Sequence, residues 1–239
     1  MQFFHRVYRE RNHRRPLLLR EDFCGTAAIA AEWVRQDPQA RALGVDLHAP
    51  TLRWGLEHNL APLGPAAARV RLIEGDVRQV RRPAADVIAA LNFSYFVFPT
   101  RAQLRSYFRS VRRSLTPGGL FVLDIFGGWE AQALTTETRR RGGFTYIWEQ
   151  VSFDPLSHRV RFHIHFRLRG GRELRRAFTY DWRFWTIPEV RELLHEAGFG
   201  SAEVYWEGTE RGTGKGNGVF RRTRKASSCP GWIAYIVAA

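Results

Sequence analysis

The first half of the chain alternates short apolar runs with stretches of helical spacing. Strands are predicted at 16–20, 42–45, 70–74, 86–91 and 120–126. Helices are predicted at 27–35, 50–60 and 101–115. Because strands alternate with helices, the pattern favours an α/β fold with a parallel, doubly wound sheet and right-handed crossovers.

The pattern changes after Gly128, where three segments show alternation of apolar and polar residues. Antiparallel strands are predicted at 144–153, 159–168 and 172–182, with turns at Asp154-Pro155 and Gly170-Gly171. A helix at 187–197 and strands at 202–206 and 232–237 then suggest a terminal antiparallel hairpin. The glycine-rich connection 207–231 is long for a compact domain, which leaves a lid or disorder as its two interpretations.

Three of the predicted strands stop at a carboxylate. Glu21 follows the first apolar run, Asp46 the second and Asp76 the third. Ligands of open α/β sheets bind outside the carboxyl ends of the strands, so these acids would form one polar rim. The sequence therefore predicts a ligand rich in hydroxyls and amines.

Four short motifs occur in order along this half of the chain: Cys24-Gly25-Thr26, Gly44-Val45-Asp46, Gly75-Asp76-Val77 and Leu115-Thr116-Pro117-Gly118-Gly119. In order and spacing they resemble the class I S-adenosylmethionine-dependent methyltransferases. The resemblance covers about residues 15 to 130. It implies a Rossmann-like methyltransferase sheet with S-adenosylmethionine as cofactor and S-adenosylhomocysteine as product.

The resemblance also implies which residues bind the cofactor. The first turn would face the methionine moiety, Asp46 the ribose, and Asp76 with Val77 the adenine. In this turn Phe23 and Ala27 stand where the family usually has glycine. The implied cofactor-binding residues are Glu21, Phe23, Cys24, Gly25, Thr26, Asp46, Leu47, Asp76, Val77, Leu91 and Asn92.

The segment Ala90-Leu91-Asn92-Phe93-Ser94-Tyr95-Phe96 is similar to small-molecule N-methyltransferases of the glycine and amino-sugar type. Residues 93–96 would then line the acceptor pocket, although an aromatic run is also typical of plain core. Methyl transfer is an in-line displacement that needs alignment more than covalent help. The expected function is therefore transfer to a small molecule, with nitrogen as the expected acceptor atom.

A group that accepts the amine proton would assist this reaction. Candidates are Tyr8, Tyr95, His163, His165 and Tyr180, of which Tyr95, His163 and Tyr180 are retained as the catalytic candidates. His163 and His165 would share one face of a strand, but the sequence offers no third metal ligand and no metal is expected. The whole chain, 1–239, is expected to be a single domain in which 129–185 form a substrate cover.

Composition leaves two other functions open. The 239 residues include 37 Lys and Arg against 23 Asp and Glu, a formal charge of +14, and only Lys215 and Lys225 are lysines. The basic segments 5–15 and 211–225 support an RNA methyltransferase as the alternative. The degenerate glycine turn supports a non-catalytic nucleotide-binding protein. A phosphate-binding loop at Gly214-Lys215 is rejected, because its spacing is wrong.

Targeting signals are not evident in the sequence. It contains no run of about 18 apolar residues, and the charged start 1–15 lacks the apolar h-region of a secretory signal. A soluble cytoplasmic protein without a membrane partner is therefore expected. Cys24 and Cys229 are expected to be free thiols. The basic segment 3–15 is predicted to be a helix, which could lie over the site. The oligomeric state and the completeness of the N-terminus stay open.

Overall fold

The computed structural model describes residues 1–210, 212 and 216–239. Its central sheet has eight strands in the order β11-β10-β12-β5-β4-β1-β2-β3. These strands are β1 Leu18–Asp22, β2 Arg41–Asp46, β3 Val70–Glu74, β4 Ala85–Ala90, β5 Leu115–Gly127, β10 Ala202–Thr209, β11 Gly216–Thr223 and β12 Trp232–Ala238. Strands β1 to β5 are parallel, whereas β12 runs antiparallel to β5 and to β10. The predicted α/β fold with its C-terminal antiparallel pair is confirmed.

Helices cover both faces of this sheet. The helices are α1 Gln2–Asn12, α2 Ala28–Gln36, α3 Ala49–Gly55, α4 Arg101–Arg113 and α5 Ile187–Glu196. One core joins buried residues of α1, α2 and α3 to one face, and a second core joins α4 and α5 to the other. Shorter helical turns follow α3 at Leu56–Leu60 and Ala61–Arg69, and others lie at Ser94–Val97 and Trp129–Gln132.

A second, antiparallel sheet consists of β6 Thr136–Arg141, β7 Phe144–Asp154, β8 Arg159–Leu168 and β9 Glu173–Arg183. These strands lie inside the predicted cover, 129–185. Val160, Phe162 and Trp182 of this sheet belong to the core that contains α4 and α5. The second sheet therefore packs on the same side of the central sheet as those two helices.

Three elements differ from the sequence-based expectation. Strands β6 and β11 were not predicted, because every residue of β6 is exposed and β11 has little apolar alternation. Part of 207–231, expected to be a lid or disorder, is thus a paired strand on β10. Residues 211 and 213–215, including the rejected Gly214-Lys215 loop, lie outside the described residues.

The start of β5 is the third difference. The strand begins at Leu115 rather than after the Pro-Gly-Gly segment, because Leu115 already pairs with Ala85. The pairing shifts register before Val87 meets Leu120. The glycines therefore form a bulge inside the strand instead of a break before it.

Helix α1 lies against a face of the sheet. Phe4, Val7 and Tyr8 are buried there, and the Tyr8 hydroxyl donates to Asp86 at the start of β4. The helix is thus part of the core, packed on a face of the sheet with Tyr8 at the amino end of β4, rather than a cover over the site. Cys24 and Cys229 are free thiols, as expected. Within the described ranges, no helix combines the length and apolar character needed to cross a bilayer.

Candidate active site

Strand β1 presents two chemically different faces. Because side chains alternate along a strand, Leu19 and Glu21 point to the α2 side while Arg20 and Asp22 point to the α4 side. A Glu21 carboxylate oxygen accepts from the Ala30 N–H in the first turn of α2 at 2.8 Å. Burial raises the pKa of Glu21 to about 8, and this one hydrogen bond only partly opposes the shift. Glu21 is thus a buried acid with few donors at the end of β1.

The turn after β1 keeps a glycine-like backbone at positions that are not all glycine. Phe23, Gly25 and Ala27 have φ of 56°, 53° and 55°, the left-handed region. Such a φ costs a residue with a side chain about 1 to 2 kcal/mol. The Phe23 ring is held by Tyr107 and Phe98, with centroids 5.6 and 6.0 Å away. Packing therefore maintains the turn that glycines allow in the family pattern.

Helix α3 supports this turn from the side. A Cβ on Gly55 would lie 2.5 Å from the Thr26 carbonyl oxygen, so only glycine permits this contact. The Asn59 side-chain amide donates to the same carbonyl at 2.8 Å. The approach of α3 to Thr26 was not predicted, because no spacing rule connects residues 26 and 55.

Asp46 joins the end of β2 to the turn. One carboxylate oxygen accepts from the Gly25 N–H at 2.8 Å, and the other accepts from the His48 N–H at 2.9 Å. The adjacent Leu47 side chain is 71% exposed, an apolar surface beside the predicted ribose position. The structure thus brings together Asp46, Leu47 and Gly25, three of the predicted cofactor-binding residues.

Asp76 and Val77 follow β3. The Arg78 guanidinium donates to both Asp76 oxygens, from Nε at 3.0 Å to each and from Nη2 at 2.5 Å to Oδ2, and lowers the pKa of that carboxyl. Val77 is buried against the core. The Arg78 backbone N–H also donates to Oδ1 at 2.8 Å, so both oxygens already accept from Arg78. An adenine amine would bind Asp76 by replacing the contact that Nε shares between the two oxygens.

The loop after β4 depends on an acid that was not among the predicted site residues. Asp124 of β5 accepts from the N–H groups of Asn92 and Phe93, both at 2.8 Å. Asn92 and Phe93 have φ of 57° and 58°. Burial raises the pKa of Asp124 to about 7, against the effect of both hydrogen bonds. The available signal was a single acid inside the predicted strand 120–126, whereas Asp46 was identified as the acid that ends its strand.

Aromatic side chains enclose the region above β4 and β5. Phe126, near the end of β5, lies 4.6 Å from Phe93 and 6.2 Å from Phe162 of the second sheet, between ring centroids. Trp148 and Tyr180 continue this aromatic face and are only partly buried. Phe93, part of the predicted lining of the acceptor pocket, is thus connected through Phe126 to the predicted substrate cover, 129–185.

The candidate proton acceptors are scattered. Tyr95 is fully buried among core aromatics with its hydroxyl unpaired, and burial raises its pKa well above the usual value. Tyr8 donates to Asp86 at the amino end of β4. His163 and His165 do share one face of β8, where His163 contacts the Thr179 hydroxyl. The partly buried Tyr180 lies on the aromatic face.

The hydrogen-bond acceptors at the carboxyl ends of β1, β2 and β3 fit a ligand that carries positive charge, hydroxyls and amines. The acceptors are the carboxylates of Glu21, Asp46 and Asp76, at the ends of three neighbouring strands. A Cβ on Gly25 would meet nothing nearer than the Thr51 methyl at 3.9 Å, so the turn is open on that side. S-adenosylmethionine has these groups: an ammonium, a sulfonium, two ribose hydroxyls and an adenine amine.

Residues 23–119 match a family model described as a methyltransferase domain. Solved structures share the fold over nearly the whole chain. An S-adenosylmethionine-dependent methyltransferase from Clostridium acetobutylicum is 18% identical, with a TM-score of 0.69, and the match covers 99% of this chain and 89% of that one. A comparison with curated proteins finds no match.

Two further structures are named for amino or sugar substrates. An amino pentose methyltransferase from Micromonospora echinaspora, with S-adenosylmethionine bound, is 19% identical with a TM-score of 0.66 and covers 98% of this chain and 89% of its own. A sugar N-methyltransferase from Streptoalloteichus is 18% identical with a TM-score of 0.63, covering 99% and 85%. At these identities the likeness is one of fold.

Proposed function

We propose that this chain is an S-adenosylmethionine-dependent methyltransferase and that it transfers the methyl group to a nitrogen atom of a small molecule. Structures of the same fold carry names that include an amino pentose and a sugar N-methyltransferase. These names support the acceptor class, and the residues of this chain supply the physical argument.

The observation that carries the proposal is the aromatic face of the second sheet. Phe162 and Trp182 pack on Phe126 and Phe96, next to the carboxyl ends of β4 and β5. A sheet that packs over the strand ends encloses the reaction space on one side. Such enclosure suits a small acceptor and excludes water, which strengthens the electrostatic interactions of a cationic reaction.

The chemistry required of the protein is alignment. Bound S-adenosylmethionine supplies a methyl group on a sulfonium: the acceptor nitrogen forms the new N–C bond while the C–S bond breaks, leaving S-adenosylhomocysteine. The residues at the strand ends fix the donor, and the aromatic face orients an uncharged amine in line with it. The acceptor amine then loses its proton to a nearby base or to water. Tyr180 stays the candidate on the aromatic face.

The experiment is a methyl-transfer screen with small amines, amino sugars among them. We expect S-adenosylhomocysteine to form together with a product heavier by one methylene unit, whose methyl NMR signals place it on nitrogen. Trp148→Ala should raise the KM for the acceptor at least tenfold without changing cofactor affinity. Leu156→Ala, in the exposed turn between β7 and β8 of the same sheet, is the control and should change neither.

Methylation of oxygen or carbon would contradict the proposal. Tight cofactor binding without transfer to any acceptor would favour the non-catalytic alternative.

One observation favours RNA as a second candidate acceptor. Arginines from the described parts of the two basic segments line a cleft of about 280 Å³ between α1 and the strands β10 and β11. It is lined by Arg6, Glu10, Arg11, Glu203, Tyr205, Arg221 and Arg222. Glu203 contacts both Arg11 and Arg222, which leaves an excess of two positive charges in the cleft. RNA methylation that falls steeply with salt, and falls further in Arg221→Ala, would support this candidate.

A further inference from the structure

We propose that Arg20 is a positioning residue for adenine recognition, acting through the segment 76–80 that follows β3. The inference deepens the proposed function: it rests on the adenine lying at Asp76. Arg20 itself is fully buried, so it cannot touch the ligand.

The Arg20 guanidinium links β1 to that segment. Its Nη2 donates to the Val77 carbonyl at 2.7 Å, and its Nη1 donates to the Val80 carbonyl at 2.5 Å. A planar guanidinium offers donors in a fixed fork, so two carbonyls held by the same group have a fixed separation. The backbone on both sides of Arg78 is therefore fixed relative to β1.

Asp22 and Tyr107 keep this guanidinium in place. Arg20 Nε and Nη2 donate to the two oxygens of Asp22 at 2.6 and 3.1 Å. The Tyr107 hydroxyl of α4 donates to Asp22 at 2.8 Å. We call Arg20, Asp22 and Tyr107 the β1 brace. Because the brace is buried and each member is hydrogen-bonded, it defines one arrangement rather than several.

Helix α4 holds the same segment independently. The Ser110 hydroxyl donates to the Arg78 carbonyl at 2.7 Å, and the Ser114 hydroxyl donates to the Val80 carbonyl at 3.3 Å. The carbonyls of Val77, Arg78 and Val80 thus all accept from buried side chains. These contacts hold the backbone directly after Asp76 from two elements, β1 and α4.

The consequence concerns the exocyclic amine of adenine. An amine that donates to the Asp76 carboxylate requires that group at hydrogen-bond distance, and such bonds weaken steeply with distance and angle. Loss of the β1 brace should therefore weaken recognition of the amine more than binding of the rest of the cofactor. A merely structural role would lower stability and leave the discrimination unchanged.

The test compares two ligands by calorimetry: S-adenosylhomocysteine and its analogue in which an oxygen replaces the adenine amine. The wild type should prefer the amine about 10- to 100-fold, as expected for a hydrogen bond to a charged acceptor. In the double variant Arg20→Met, Asp22→Leu, which removes both buried charges together, the preference should fall below about threefold. Tyr107→Phe keeps the ion pair and should give an intermediate preference.

Tyr8→Phe is the matched control, because Tyr8 also donates its hydroxyl to a buried aspartate, Asp86, but at the opposite end of the sheet. It should keep the wild-type preference. Unchanged discrimination in a folded double variant, or in Tyr107→Phe if the double variant does not fold, would overturn the proposal. So would a wild type that does not distinguish the ligands. These binding measurements contain no methyl acceptor. They can therefore be interpreted even if the proposed acceptor class is wrong.

Discussion

Buried acids occur at both ends of the central sheet, but those at the two ends differ in how many hydrogen-bond donors they have. At the amino end, Asp86 accepts from the N–H groups of Leu17 and Leu18 and from the side chains of Tyr8 and Arg14. Burial alone would raise the pKa of Asp86, but these donors lower it. At the carboxyl end, burial raises the pKa of Glu21 to about 8 and that of Asp124 to about 7.

The difference separates structural acids from acids with capacity for a ligand. Asp86 has a donor for nearly every lone pair, so its charge is compensated within the protein. Glu21 has one backbone donor, from Ala30, and a cationic ligand would supply what is missing. Residues with perturbed pKa values cluster at functional sites for this reason.

The largest expected effect is on the pH dependence of stability in Glu21→Gln. A carboxyl whose folded-state pKa is raised from 4.5 to about 8 favours folding below pH 4.5, and this advantage is lost as pH rises through about 8. Relative to Glu21→Gln, the wild type should lose about 3 to 5 kcal/mol of unfolding free energy between these pH values. Urea unfolding from pH 4 to pH 9 measures it. If the difference in unfolding free energy between the wild type and Glu21→Gln did not change with pH, the raised pKa of Glu21 would be contradicted.

Next in size is the loss of cofactor binding in Asp46→Ala. The substitution removes the predicted ribose acceptor and the hydrogen bond to the Gly25 N–H. Two lost hydrogen bonds to a charged acceptor should weaken S-adenosylhomocysteine binding about 100-fold, measured by calorimetry.

Glu74→Ala is the control for Asp46→Ala. Glu74 is an exposed acid that pairs in register with Asp46 on the neighbouring strand. It should change binding less than about twofold. Equal losses in both variants would show a general electrostatic attraction rather than a specific acceptor at Asp46.

Asp86→Asn should show the reverse behaviour, with lower stability and unchanged binding. We expect the free energy of unfolding to fall by about 2 kcal/mol at neutral pH, because an amide replaces a carboxylate that accepts from five donors, the Thr116 hydroxyl included. The loss should vanish as pH falls through the lowered pKa of Asp86, below about pH 4. Chemical unfolding and calorimetry on the same sample measure both quantities. Impaired cofactor binding in Asp86→Asn would contradict the distinction between a structural acid at the amino end of the sheet and ligand-binding acids at the carboxyl end.

The smallest effect is expected for Ala27→Gly in the turn after β1. Glycine relieves about 1 kcal/mol of left-handed strain at φ 55°, while loss of a fully buried methyl costs about 0.8 kcal/mol. The free energy of unfolding should change by less than about 0.5 kcal/mol, read from the unfolding midpoint. Ala27→Val should be clearly destabilising. Tolerance of valine would show that the turn does not require its backbone geometry.

The alternation of apolar runs and helical spacing determined the α/β order, the parallel strands and the acids at the ends of β1, β2 and β3. Periodicity encodes these features locally, because a buried strand needs apolar side chains at every position. The same reasoning missed β6 and β11, whose exposed residues carry no apolar pattern. Their pairing depends on partner strands, β7 and β10, and not on their own composition.

Tertiary structure alone decided which groups each side chain hydrogen-bonds to or packs against. The sequence shows Arg20 as a charge inside an apolar run, but only the fold places it against the carbonyls of Val77 and Val80. Likewise Phe23 breaks the glycine pattern in sequence, and its backbone keeps the left-handed turn because Tyr107 and Phe98 hold its ring. Hydrogen bonds and packing between distant residues have no spacing rule, so one chain read alone identifies the groups but not their partners.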